Sequence, residues 1–275
     1  MTLVWRPSSG NLLLKNGMVI TGSQKNNWTP AEITAALWLD AADASTITES
    51  GGVVSQWDDK SGNARNFSAT STARPAYTLA GQNGKNVLTF DGIDDFMSLG
   101  SSYNYGTTHS LFIVAKYTAA SSITASTPGA GLFRGSVNNT ALYVGPWSGA
   151  FSNERLGYYV GSFGFAKTDA DIDTTLPLLL SFANENNYAT AVRRLNGGND
   201  FAATNGTLTP SQIQYIGAFS PSSNFWTGTI CEFIITPSYL TLAVLEKVEG
   251  YLAHKWGLTA NLPADYPYKT AIPVP

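Results

Sequence analysis

The sequence is short of charge, of cysteine and of histidine, and each shortage closes off a class of chemistry. Charged residues make up 13% of the 275 positions, about half the usual ~25%. Lys and Arg number 16 against 19 Asp and Glu, a net charge of −3 with no run of either sign. Nucleic acid is held through a basic footprint on its phosphates, so no nucleic-acid partner is expected. The one cysteine, Cys231, excludes an internal disulfide and a cysteine zinc cluster. It lies in the apolar run Thr229–Ile235 and reads as a small buried hydrophobe. With His109 and His254 as the only histidines, a multi-histidine metal site is excluded as well. No apolar run approaches the ~20 residues of a membrane span, so no membrane insertion is expected. The start, Met1 to Pro7, lacks the basic and long apolar regions of a signal peptide. The expectation is a protein made in the cytoplasm that reaches any outside location by another route, such as lysis.

What is abundant is neutral polarity and turn residues. Ser, Thr and Asn together make more than a quarter of the chain, beside 26 Gly and 13 Pro. With 43% hydrophobic and 12% aromatic residues, the chain has ample apolar surface to bury and is not a disordered one. At this length a single large β domain is within the usual range.

Along the chain, residues 1–35 stand apart. Leu12–Lys15 and Met18–Thr21 flank Asn16–Gly17, and Asn-Gly between apolar runs is the strongest short hairpin signal. Two strands alone are marginal in water, so this hairpin is expected to lean on the main domain or on a partner. Gly22–Pro30 reads as a linker. From Leu37 onward, short β-type runs alternate with Gly, Asn, Asp and Ser punctuators. The runs include Val87–Phe90, Leu111–Tyr117, Ala141–Val144, Leu176–Ala183, Ala189–Leu195, Gln214–Ile216 and Thr229–Ile235. Such a series predicts an all-β sandwich or barrel. Only Thr241–Trp256 carries a helical period, through Leu242, Leu245, Val248, Leu252 and Trp256, with Thr241 placed to cap its start and Gly257 its end. The proline-bearing tail from Leu262 to Pro275 is expected to lie extended over the surface.

Two polar turns could carry chemistry. In Trp57–Asn63, the side chains Asp59, Ser61 and Asn63 alternate like oxygen ligands for a hard cation such as calcium. A full calcium loop adds more carboxylates and a terminal bidentate Glu, and the same residues also build ordinary turns. Phe90–Phe96 sets Asp91, Asp94 and Asp95 between two aromatic strand ends. It reads as a tight hairpin in which Asp91 bonds turn amides and both Phe rings pack inward.

These segments carry a family resemblance. Val54–Asn63 resembles the W-x-D-x-S-G-N segment of concanavalin A-like, laminin-G-type jelly-roll domains, and Leu88–Phe96 resembles their F-D-G hairpin. Val192–Gly198 looks like their strand ending in an Asn-Gly turn. Gln214–Gly217 followed by Phe225–Ile235 is similar to their final strands, and Val248–Leu258 with Tyr266–Tyr268 to the tail of versions found in phage and prophage virion proteins. The resemblance covers roughly residues 36–270. It implies an all-β, two-sheet antiparallel jelly-roll sandwich, concanavalin A-like, with an N-terminal β-hairpin arm and one C-terminal α-helix. The division expected is residues 1–35 as an attachment and oligomerisation arm and 36–275 as a lectin-like domain.

Some members of that family are glycosidases with an acid pair on one strand in an E-x-D-x-x-E run. No such run surrounds Glu32, Glu49, Glu154, Glu185, Glu232, Glu246 or Glu249, so no catalytic residues are assigned and the chain is read as not an enzyme. Sugar recognition instead needs aromatic faces with amide and hydroxyl donors, and the middle of the chain offers Tyr103, Tyr105, Tyr159 and others. Tyr143, Trp147, Arg155 and Tyr158 are the first candidates for carbohydrate binding, because Gly145 and Pro146 place Trp147 on a turn. Trp38, Trp57, Trp226 and Trp256 are expected in the core. The leading expectation is a phage virion surface protein, made in the host cytoplasm: a fibre, tail-tip or capsid-surface component. It would hold other virion proteins through residues 1–35, form a homo-oligomer with a trimer favoured, and bind a host surface glycan without a cofactor, calcium aside. The alternative is a structural decoration protein that binds no sugar, and behind it a polysaccharide-degrading enzyme.

Overall fold

A computed structural model of the chain describes residues 4–5, 11–13, 19–21, 27–124, 129–136, 140–145, 155–160, 163–167, 172–186, 191–198, 202–203 and 209–275. The main body is an all-β antiparallel sandwich with a single α-helix near the C-terminus, as the turn-punctuated runs predict. One layer places strand Thr108–Tyr117 between Leu178–Glu185 and Thr227–Thr236. It extends on one side to Val192–Leu195 and on the other to Leu37–Asp40 and Lys85–Asp91. The other layer runs from Met97–Gly106 through Ser211–Ile216, Ala130–Arg134 and Thr140–Val144 to Leu156–Val160. Strand Val53–Trp57, bridging to the next hairpin at Val53↔Ala76, joins the two layers by hydrogen bonds.

Strand alternation decides what each face buries. From strand Thr108–Tyr117, Leu111, Ile113, Ala115 and Tyr117 enter the core between the layers, with Phe133, Tyr158, Ile216 and Trp226. Phe112 and Val114 point the other way, into a second core under the helix, where they meet Leu245, Val248, Leu252 and Trp256. Strand Thr227–Thr236 adds an irregularity. Its register against Val114 and Ala115 steps from Glu232 to Ile230, so Cys231 is an extra residue. Such a bulge lets consecutive side chains serve one face, and both Cys231 and Glu232 here turn toward the helix.

The helix spans Leu242–Trp256, with Thr241 before it and Gly257 after it in the left-handed conformation at φ 75°, where glycine carries no steric penalty. Its last carbonyls are capped from the sheet: Gln82 Nε2 donates to Trp256 O at 2.8 Å and Asn83 Nδ2 to Lys255 O at 3.0 Å. Those two residues enter the turn Asn83–Gly84, both at positive φ, as an Asn-Gly hairpin requires.

Buried charge fixes the helix to the sandwich. Glu232, fully buried, accepts Trp38 Nε1 and Trp256 Nε1 on its two oxygens at 2.8 Å each. Lys255 Nζ lies 2.7 Å from Glu232 Oε2 and 2.6 Å from Asp40 Oδ1, and also donates to Tyr251 Oη at 3.1 Å. All three of its donors are therefore used. A second clasp joins Arg194 to Glu249 at 3.3 Å, an ion pair without hydrogen-bond alignment, and Tyr266 donates its hydroxyl to the same carboxylate. The expected core tryptophans Trp38, Trp57, Trp226 and Trp256 are all buried.

Near the N-terminus, Asn11–Leu13 pairs antiparallel with Val19–Thr21, and Val4–Trp5 adds a third strand. The Asn16–Gly17 turn lies outside the described residues. Trp28, in the stretch read as linker, is buried: its ring meets Tyr251 edge-on and its backbone amide donates to Pro273 O at 2.9 Å. The packed body thus includes Trp28, and the tail near Pro273 lies over the helix, where Gly250 leaves room for Tyr268 and Pro273.

Lys255→Met should cost about 3–5 kcal/mol in urea unfolding, the range for leaving a buried carboxylate without its partner. A loss under about 1 kcal/mol would mean that Glu232 does not depend on the ammonium group.

Candidate functional site

The turn after Trp57 is organised by one carboxylate. Asp59 Oδ1 accepts the amides of Trp38 and Ser61, both at 2.9 Å; Oδ2 accepts Ser61 Oγ at 2.8 Å and the Arg65 amide at 3.2 Å. Asn66 Oδ1 in turn accepts the Asp59 amide at 3.0 Å. The loop folds against the Ala36 carbonyl, which takes Arg65 Nη1 at 2.6 Å, Asn63 Nδ2 at 3.2 Å and Ser61 Oγ at 3.3 Å. Asp, Ser and Asn do this because their short side chains reach neighbouring backbone groups. The consequence is that Arg65 is held in one place.

The facing wall comes from strand Met97–Gly106. Its pairing with Ser211–Ile216 jumps from Ser98↔Tyr215 to Tyr103↔Ile213, so Leu99–Ser102 stands opposite a single residue. The bulge lifts Gly100 and Ser101 away from the ladder before Tyr103 rejoins it. Ser102 Oγ donates to Gln212 Oε1 at 3.3 Å, which also accepts Ser136 Oγ at 3.1 Å. Between loop and bulge lies a cleft of about 400 Å³, lined by Arg65, Asn66, Ser101, Ser102 and Tyr103 among others. The guanidinium carbon of Arg65 sits 3.8 Å over the Tyr103 ring, a cation–π contact that fixes its plane. Among the described residues, no carboxylate lines the cleft.

Asp59, Ser61 and Asn63 do come together, but as a hydrogen-bonded turn: Asn63 offers its amide nitrogen, a donor, to Ser61 Oγ at 2.8 Å. The acidic hairpin matches the expected tight turn. Asp91 Oδ1 accepts Ile93 N at 2.8 Å and Asp94 N at 3.3 Å, and Asp95 Oδ2 accepts Asp91 N at 2.9 Å. Its three carboxylates lie within 4.8 Å of one another, and burial pushes the Asp95 carboxyl up to about 6. Phe90 is buried, whereas Phe96 is half-buried against Tyr215 and Phe225.

Of the residues expected to stack on sugar, Tyr143 and Tyr158 are both buried, so neither presents a ring face to solvent. Tyr143 fills the space left by Gly157, its register partner, and packs on Phe219 at 5.7 Å between centroids. Tyr158 faces the inner core, with its ring 4.5 Å from Phe182 and its hydroxyl 3.2 Å from His109 Nε2. Arg155 is half-buried, its carbonyl accepting the Gly145 amide at 2.9 Å. Trp147 lies outside the described residues. Tyr158 lies in the core between the layers and Tyr143 in a small cluster with Ala141 and Phe219, and the sequence gives no sign of which aromatics these contacts hide. His109 is buried, which pushes its imidazole down to about 4; His254 bonds the Tyr268 carbonyl at 2.9 Å. Arg65 was missed because its partner, Tyr103, reaches it only through a bulge.

No family model matches the sequence, and no curated protein is significantly similar to it. Solved structures share the fold. A sialidase from Trypanosoma rangeli, in complex with sialic acid, matches at a TM-score of 0.51 and 13% identity, over 81% of this chain and 33% of that one. The binding domain of Paraclostridial Mosquitocidal Protein 1 matches at 0.51 and 11%, over 79% and 52%. Domain 4 of AbnA, a GH43 extracellular arabinanase from Geobacillus stearothermophilus, in complex with arabinotriose, matches at 0.48 and 18%, over 70% and 92%. The chain thus spans about a third of the sialidase and about half of the mosquitocidal chain.

These matches correct one expectation. Against the expectation that the chain is not an enzyme, a sialidase is among the chains that share its fold. That expectation considers only acid pairs along single strands. The fold brings carboxylates together across strands instead: Asp40 and Glu232, far apart in sequence, are register partners.

Asp59→Ala should lower stability by about 2–3 kcal/mol, since it leaves several loop donors without an acceptor. Urea unfolding with calcium and with a chelator checks this. An equal loss in both would assign the loop's order to hydrogen bonds, whereas a loss seen only with calcium would make Asp59, Ser61 and Asn63 a cation site.

Proposed function

We propose that this protein is a carbohydrate-binding sandwich module that uses the Arg65–Tyr103 cleft. One observation carries the reading: a guanidinium stacked on a tyrosine at the edge of a cleft of about 400 Å³ whose walls carry hydroxyl and amide groups. Polyol ligands are recognised by planar donors and hydroxyls set on a fixed surface, and a site of this volume is within the range for small ligands. The occurrence of the fold in a chain solved with sialic acid agrees with this, but the cleft bears the argument. Tyr103→Ala should weaken binding to a responsive glycan on an array by about tenfold or more, the scale of losing one anchoring side chain. The melting temperature should change little, because Tyr103 is only half-buried. Unchanged binding by folded Tyr103→Ala protein would remove the cleft from consideration. Release of reducing ends in the same incubation would extend the role to hydrolysis.

The finer assignment is a concanavalin A-like, laminin-G-type module on a phage virion surface, with the N-terminal strands as the contact to other virion proteins. It is supported by the order of motifs from Val54–Asn63 to Tyr266–Tyr268. It is also supported by the three short strands before Trp28, which form a sheet separate from the sandwich ladder. Because Trp28 packs into the body, the informative truncation removes residues 1–26. Sedimentation of that truncation should show a monomer where the full chain is an oligomer, a trimer being favoured. If both sediment alike, the arm does not hold subunits together. A folded protein that binds no glycan would favour a decoration role.

A further inference from the structure

We infer that the cleft selects saccharides bearing a carboxylate, a conclusion that rests on the carbohydrate-binding reading and narrows it. Arg65 differs from the three cations that clasp the architecture. Lys60 is paired with Asp40 at 2.9 Å and Asp43 at 2.8 Å, Lys255 with Asp40 and Glu232, and Arg194 with Glu249 and Glu246. Among the described residues, no carboxylate lies within ion-pair distance of the Arg65 guanidinium, although acids outnumber bases in the chain. Its only acceptor there is the neutral carbonyl of Ala36.

Guanidinium carries five N–H donors, and this bond engages only Nη1. The remaining donors belong to a plane already fixed by the Tyr103 ring below and the Ala36 carbonyl at one corner. A fixed, planar, un-neutralised fork matches a carboxylate bidentately, and little side-chain entropy remains to be lost on binding. The serine hydroxyls and the Asn66 side chain along the same cleft supply neutral groups for the sugar ring that bears the acid. A carboxylate elsewhere in the lining would repel such a ligand, and there is none among the described residues.

The test is calorimetric titration of the full-length protein with three probes: trigalacturonic acid, its methyl ester and a sulfated galactose trisaccharide. The acid should bind about tenfold or more tighter than the ester, the range for a charge-assisted hydrogen-bonded contact. The preference should shrink with added salt. It should vanish in Arg65→Gln and fall in Arg65→Lys, which keeps the charge but loses the fork; thermal melting of both variants confirms their folding. Equal binding of acid and ester would overturn the carboxylate preference while leaving glycan binding in place. Tighter binding of the sulfated probe would overturn it in favour of another anion. Absence of binding by all three probes, together with a silent array of neutral glycans, would overturn the underlying reading itself.

Discussion

The outer layer of this protein hangs on one buried carboxylate. Glu232 is supplied by a strand bulge that turns it, with Cys231, toward the helix instead of the sandwich core. Burial pushes its carboxyl up, and the Lys255 ammonium opposes that shift. Two indole N–H groups and the ammonium satisfy it. The partners come from two elements: Trp38 from the first body strand, Trp256 and Lys255 from the helix. An isolated charge in that position would be costly enough to unfold a marginal domain. Its satisfaction therefore specifies where the helix sits more tightly than apolar packing alone would. Glu249, pushed up to about 7 by burial and held by Arg194 and Tyr266, repeats the device at the middle of the helix.

The same strand serves both the clasp and the cleft. Leu37–Asp40 gives Trp38 and Asp40 to the network around Lys255. Through its backbone it also anchors the loop that aims Arg65, since Trp38 N donates to Asp59 and Trp38 O accepts the Lys60 amide at 2.8 Å. Lys60 then returns to Asp40 and to Asp43, whose carboxyl it holds down at about 2. A rigid strand, pinned on one side by charge, is a good base for a ligand loop, because loops on firm scaffolds can position side chains that free loops cannot.

Much of the fold was legible because its signals are local. Alternation marked the strands, the three- and four-residue steps from Leu242 to Trp256 marked the helix, and Asn83–Gly84 and Gly257 marked turns that need positive φ. The site was less legible because it is made by irregularities. The turn around Asp59 could be recognised as polar and ordered, but its choice between cation ligation and hydrogen bonding depends on amides contributed by Trp38 and Arg65. Tyr143 and Tyr158 look like Tyr103 in composition. What separates them is that Gly157 opens a space for the Tyr143 ring and the inner core takes Tyr158, while the bulge at Leu99–Ser102 leaves Tyr103 at the surface.

The distribution of charge explains why a chain so poor in it can still be selective. Lys60, Lys255 and Arg194 are neutralised in place and hold the architecture. With most of the remaining surface built from hydroxyl and amide groups, the field at the cleft is set by very few ions. At a Debye length of roughly 8 Å in physiological salt, a ligand in the cleft is within reach of the Arg65 guanidinium, and no carboxylate is among the described lining residues. Holding Arg65 between the Tyr103 ring and the Ala36 carbonyl costs side-chain freedom. That cost is already met within the fold, so a ligand that takes up the donors beyond Nη1 meets a guanidinium set in place before it arrives.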